Sequence, residues 1–207
     1  MTQQPDLSSR DPNWRPCHQF SSFAVPPSRR SWLLDDGSLT ARLVAQGGST
    51  FRVRRLAQYW QVPLASERSL LSVPERQLAL IREVSLELAG KPVVYARSVF
   101  PVDSISGALR HLRQLKSRSL GSILFKHSGM RRSPFELALL PGKSAYLPAN
   151  LHQSQAVWAR RSRFDISHKP LLVSEVFLSS FCPWSDELPV HRSQRGRVST
   201  AILKPKQ

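Results

Sequence analysis

From Leu78 to Leu88 the even positions read Leu78, Leu80, Arg82, Val84, Leu86 and Leu88, while the odd ones include Glu83, Ser85 and Glu87. That is the alternation of a strand with one buried face, and it places one charge inside. A second apolar run, Val93 to Phe100, follows closely, which predicts a β-hairpin. With a two-residue turn at Gly90-Lys91, Leu88 faces Val93, Leu86 faces Tyr95, Val84 faces Arg97 and Arg82 faces Val99. Arg82 and Arg97 then share the apolar face as diagonal cross-strand neighbours. A buried charge is costly unless it meets a carboxylate or receives an anionic ligand. Two such guanidinium groups together predict an anion site.

A second hairpin repeats the first with a charge of opposite sign. Lys91-Pro92 precedes Val93-Val94-Tyr95-Ala96-Arg97, and Lys169-Pro170 precedes Leu171-Leu172-Val173-Ser174-Glu175, so Arg97 and Glu175 stand at matching places after their prolines. Arg82 and Arg160 likewise stand at matching places before them. The spacing reads as pseudo-symmetry. Glu175 shares its strand face with Leu171, Val173 and Phe177, which makes it a third inward charge. Its structural alternative is a buried ion pair with Arg97 or Arg82.

The formal net charge is +16 over 207 residues. Arg10, Arg15, Arg29 and Arg30 against Asp6 and Asp11 leave the first 30 residues only weakly basic, and the tail beyond Ser185 is little different. Most of the excess belongs to the middle of the chain. No recognition-helix pattern, zinc finger or aromatic RNA-binding motif accompanies it, so the charge reads as attraction for a small anion and no nucleic-acid partner is expected. Residues 1–30 contain five prolines and no hydrophobic periodicity, which predicts a mostly disordered N-terminal arm. A folded domain is expected over 31–182, and a basic tail without fixed structure over 183–207. There is no continuous apolar run of signal-peptide or membrane-span type, so a cytoplasmic location is expected. Cys17 and Cys182 form neither a metal-ligand spacing nor a disulfide framework.

Within the middle, Ser38 after Asp36-Gly37 reads as an N-cap, and Ser119-Leu120-Gly121 opens a further helical turn. The first free amides of each could hold an anion. Thr50 to Leu56 and Phe135 to Leu140 read as strands. The segment running on to Pro74 is a candidate lid, and Ala108 to Leu115 a short amphipathic helix. Residues 141–155 read as a surface excursion, and Arg160, Arg161 and Arg163 as a solvated strand face. Tyr95, Phe125, Phe164 and Phe177 are expected in the core. No histidine has a metal-like partner spacing, and no serine or cysteine sits in a nucleophile elbow. The fold class is α+β: a single antiparallel sheet of about six strands flanked by helices and lid-like loops.

In order and spacing, these residues resemble the chorismate pyruvate-lyase family. The resemblance spans about Trp32 to Phe181. It rests on Trp32-Leu33-Leu34 through Gly37-Ser38-Leu39-Thr40, Arg82-Glu83-Val84, Gly90-Lys91-Pro92, Ala96-Arg97 through Pro101-Val102, Leu120-Gly121, Arg160-Arg161-Ser162-Arg163, and Lys169-Pro170-Leu171-Leu172 through Glu175-Val176-Phe177. It implies a monomeric, cofactor-free enzyme that converts chorismate to 4-hydroxybenzoate and pyruvate at the start of ubiquinone synthesis. It further implies a pocket lined by Arg82, Glu175 and the amides at Leu39 and Leu120, with Arg97 beside them; Arg82, Arg97 and Glu175 are the expected catalytic residues. The ligand-sensing domains of one class of transcription regulators resemble the same fold, and a sensor is the alternative reading.

Overall fold

Both expected hairpins form around two-residue turns in which both residues have positive φ, Ala89-Gly90 in the first and Ser167-His168 in the second. This is the backbone that matches the twist of the flanking strands. The computed structural model describes residues 10–21, 24–125, 127 and 129–185. Its strands are β1 (Arg15–Pro16), β2 (Arg52–Gln61), β3 (Ala79–Leu88), β4 (Lys91–Pro101), β5 (Arg131–Arg132), β6 (Glu136–Leu140), β7 (Val157–Ile166) and β8 (Lys169–Phe177). They form one antiparallel sheet in the order β1-β6-β7-β8-β4-β3-β2, with β5 paired to β7. Six of these strands carry the expected architecture. The other two, β1 and β5, are two residues long and too short to leave an alternation in the sequence.

Both faces of the sheet are covered. On the near face lie α1 (Pro27–Leu33) and α2 (Leu39–Gly47), whose Trp32, Leu33, Leu39 and Leu43 pack on Val84, Leu86, Val94 and Phe177. Beside them the 3₁₀ turns of Gly107–Gln114 and the short α4 (Gly121–Leu124) pack Leu109, Leu112, Leu120 and Leu124 on Leu80, Phe100 and Phe164. On the far face α3 (Ala65–Leu71) sets Leu71 against Ile81, Val99 and Leu172. Residues 141–155 cover the rest of that face with Tyr146, Leu147 and Leu151.

Four expectations change. Residues 10–21 and 24–30 have defined places in the fold: β1 pairs with the edge of β6, Val25 is buried, and Asp11 accepts hydrogen bonds from Ser66. A proline-rich segment needs no periodicity of its own when it docks on a finished edge. Residues 1–9 and 186–207 lie outside the described residues. The segment before Pro74, expected as a lid, contains α3 and packs on the far face. The excursion over 141–155 is in part a cover for the core. Arg160 and Arg161, expected in solvent, are buried, because β7 lies inside the sheet with both faces occupied. No helix among the described residues is long and apolar enough to cross a membrane.

Candidate functional site

The strand registers decide which charges meet. Leu88 pairs with Lys91 and Glu87 with Pro92, but Leu86 pairs with Val94, so Val93 is an extra, unpaired residue. Moving the turn from Gly90-Lys91 to Ala89-Gly90 leaves the facing of side chains unchanged. The bulge at Val93 reverses it for all of β4 beyond that point. Arg82 therefore pairs with Ser98 on the near face, whereas Arg97 pairs with Glu83 on the far face. The expectation that the two guanidinium groups share one face is corrected. Proline alone does not cause the bulge, since Pro170 pairs with Asp165 in an unbroken ladder. The difference lies in the chain after β8, where the Leu178 amide donates to the Val93 carbonyl (3.0 Å) and the Ser180 hydroxyl donates to the carbonyl of Pro92.

A cavity opens on the near face between the two apolar clusters. With its mouth it holds about 540 Å³ of space free of protein atoms. Its floor is Ala96 and Ser98 of β4 with Val173 of β8, small or short side chains that leave room above the sheet. Arg82, Glu175, Leu39 and Leu120 all line it, and so does Arg132. Four of the five expected site residues thus come together, and Arg97 does not join them.

Arg82 is 2% exposed. Its Nη2 donates to the carbonyls of Lys116 (3.0 Å) and Arg118 (2.8 Å), while its buried Nε has no partner. No carboxylate lies within ion-pair distance among the described residues. Burial, and secondarily the charge of Arg55, lowers its pKa to about 10, as expected for a cation taken out of water without a counter-ion. Arg132 shows the same condition: burial first, then the neighbouring Arg160 charge, lowers its pKa to about 9 against the opposing influence of Glu175, Asp35 and Asp36.

Glu175 faces the cavity and accepts from Arg160 Nε at 2.6 Å. The ion pair weighed as its structural alternative exists, with Arg160 as partner and not Arg97 or Arg82. Arg160 also donates through Nη1 to the carbonyls of Trp32 (2.7 Å) and Asp35 (2.9 Å), so it satisfies the end of α1 and fixes Glu175 at once. The aromatic rings of Phe135 and Phe177 flank its guanidinium at 4.7 and 5.7 Å. Opposite them, Ser38 caps α2, its hydroxyl accepting from the Ala41 amide at 3.3 Å, so Leu39 opens the helix as read from sequence. A Cβ on Gly121 would stand 2.9 Å from the Ser38 hydroxyl, so the starts of α2 and α4 touch, and residues of both line the cavity.

Arg97, on the far face, is saturated. Its Nε and Nη2 donate to Glu67 (2.8 and 3.2 Å), and its Nη1 donates to Glu83 (2.9 Å) and to the Tyr59 hydroxyl (3.2 Å). Burial by itself would lower its pKa, but Glu67 more than offsets this and leaves it raised. Two cavity features escaped the sequence reading. Arg132 sits in a two-residue strand with no periodicity to expose it. Arg160 carries its counter-charge on an adjacent strand, and its matching place to Arg82 was the available signal.

The sequence profile of the family described as Chorismate lyase matches residues 9–186. Relatives bear the name "Probable chorismate pyruvate-lyase". One from Pseudomonas aeruginosa (strain UCBPP-PA14) is 40% identical over 81% of this chain and 91% of its own length. Another from Methylococcus capsulatus is 41% identical over 72% and 93%, and a third from Aromatoleum aromaticum is 42% identical over 74% and 86%. Among solved structures, the effector domain of PhnF from Mycobacterium smegmatis has a TM-score of 0.49 at 13% identity, covering 67% of this chain and 87% of that one, a distance from which nothing about this chain follows. The profile and the relatives agree along most of the length: the chain belongs to the chorismate lyase family.

Proposed function

We propose that this protein is a chorismate pyruvate-lyase that acts at the near-face cavity, releasing 4-hydroxybenzoate and pyruvate. The observation that carries the reading is Arg82, a buried cation without a carboxylate, in one cavity with Glu175 and two helix starts. Chorismate is a dianion, and such a cavity offers it the missing negative charge.

The chemistry asks little of the protein. The ether bond between ring carbon 3 and the enolpyruvyl oxygen breaks, its electron pair leaving on that oxygen. The hydrogen on carbon 4 departs as a proton, and its electrons complete the aromatic ring. The released enolpyruvate takes up a proton and becomes pyruvate. Aromatisation drives the sequence, and no electron donor or acceptor is consumed. Arg82 and the amides near Leu39 and Leu120 hold the ring carboxylate through charge-assisted bonds. Glu175, fixed by Arg160, receives the 4-hydroxyl end and orients the ring. Arg97 supports the sheet from behind through Glu67 and Glu83 and touches no substrate. The same reading takes residues 31–182 as most of the catalytic domain, and a monomer in the cytoplasm that supplies ubiquinone synthesis and has chorismate, not nucleic acid, as its partner.

The test is incubation of the wild-type chain and Arg82→Ala with chorismate, following 4-hydroxybenzoate and pyruvate by chromatography. Equal amounts of both from wild type, with a loss of about 100-fold or more in the variant, are expected. Chorismate that binds but is not cleaved would make the cavity a sensor site, and chorismate that neither binds nor reacts would remove the reading.

A further inference from the structure

A second guanidinium, half-buried, faces this cavity without a carboxylate within ion-pair distance among the described residues, and it belongs to Arg132. Its Nε donates to the Ser162 hydroxyl (2.7 Å) and its Nη1 to the Asp36 carbonyl (3.1 Å). The rings of Phe135 and Phe164 lie 4.0 and 4.9 Å from its central carbon. Two anchors and two rings hold the group in place, and none of the four supplies a negative charge.

Ser162 belongs to the row Arg82, Ser98, Val173, Ser162, which crosses β3, β4, β8 and β7. Arg132, itself on β5, therefore anchors its guanidinium at a row position three strand spacings, roughly 14 Å, from Arg82. Ser98 and Val173 form the floor between them. A single carboxylate in this slot satisfies one end and leaves the other cation unmet. A ligand with a carboxylate at each end satisfies both.

We propose that Arg132 binds the second carboxylate of the substrate, the one on the enolpyruvyl group, and thereby makes the cavity select a dianion over a monoanion. The inference rests on the lyase reading. Negative charge that builds on the departing oxygen lies next to that carboxylate, so the same guanidinium favours bond cleavage. The aromatic product keeps only the ring carboxylate and makes no use of Arg132.

Arg132→Met, Arg132→Lys and Arg82→Met, made in the full chain and checked by circular dichroism, separate the roles. Steady-state kcat/KM is measured with chorismate, and Kd for 4-hydroxybenzoate by calorimetry. Arg132→Met is expected to lower kcat/KM about 100-fold, with product affinity held within about 3-fold, whereas Arg82→Met loses both. Arg132→Lys, a point charge without the fork, is expected to recover part of the loss and carries the comparison if the methionine variant does not fold. Product affinity that falls in step with kcat/KM in the Arg132 variants, or kcat/KM that does not change, overturns the assignment. A wild-type chain that neither binds nor cleaves chorismate overturns the lyase reading, and this inference with it.

Discussion

Arg82 and Arg97 carry the same side chain into the same sheet under opposite conditions, and their substitution should have opposite results. Arg97 is held between Glu67, 1% exposed, and Glu83. Arg97→Met leaves both carboxylates without their cation and is expected to cost about 3–5 kcal/mol of stability, read as a lower urea midpoint at unchanged slope. Below its melting transition that variant should still turn over chorismate. Arg82→Met strands no carboxylate, only the carbonyls of Lys116 and Arg118. Its stability loss should be the smaller, and its kcat/KM should fall about 100-fold or more. Equal stability losses, or an inactive but folded Arg97→Met, would show that the two faces are not functionally separate. Glu175→Gln should lower kcat while keeping the fold, because Arg160 retains its carbonyl partners at the end of α1.

At the scale of elements, the site depends on the contact between the starts of α2 and α4. Gly121→Ala would set a Cβ 2.9 Å from the Ser38 hydroxyl, which already caps α2. Loss of that cap weakens the helix by about 1 kcal/mol; KM should rise about 10-fold with little change in the circular dichroism spectrum, and an unchanged KM would remove the α2 amides from substrate binding. Local signals made this part legible: an N-cap serine, a short helix opening and strict alternation put Leu39, Leu120, Arg82 and Glu175 on the elements that line the cavity. Arg97 was misplaced because the bulge at Val93 is fixed by Leu178 and Ser180, far along the chain. Arg160 was read as solvated because the α1 carbonyls that bury it come from the other end of the sequence. Arg132 was missed because two residues carry no period.

Across the whole molecule, the sheet divides the work: beside the Arg160–Glu175 pair the near face leaves Arg82 and Arg132 for a ligand, without a carboxylate among the described residues, and the far face pairs Arg97, Arg161 and Arg163 with its own. Ligand binding should therefore stabilise the protein. Saturating 4-hydroxybenzoate at about 100 times Kd is expected to add about 2.7 kcal/mol, seen as a rise in Tm that Arg82→Met abolishes. A net charge of +16 should also draw in a dianion from a distance, so kcat/KM should fall as ionic strength rises while kcat stays flat. The division between faces depends on a count. Because a strand deals its side chains alternately to two compartments, β4 has a reading frame of two, and Val93 shifts it. Were Val93 paired in the ladder and not bulged out of it, the result would be a frameshift in space: Tyr95, Arg97 and Val99 would enter the cavity and Ala96 and Ser98 would leave it, with every residue of the chain chemically unaltered. Along this strand, which residue is left out of the pairing decides as much as which residues are present.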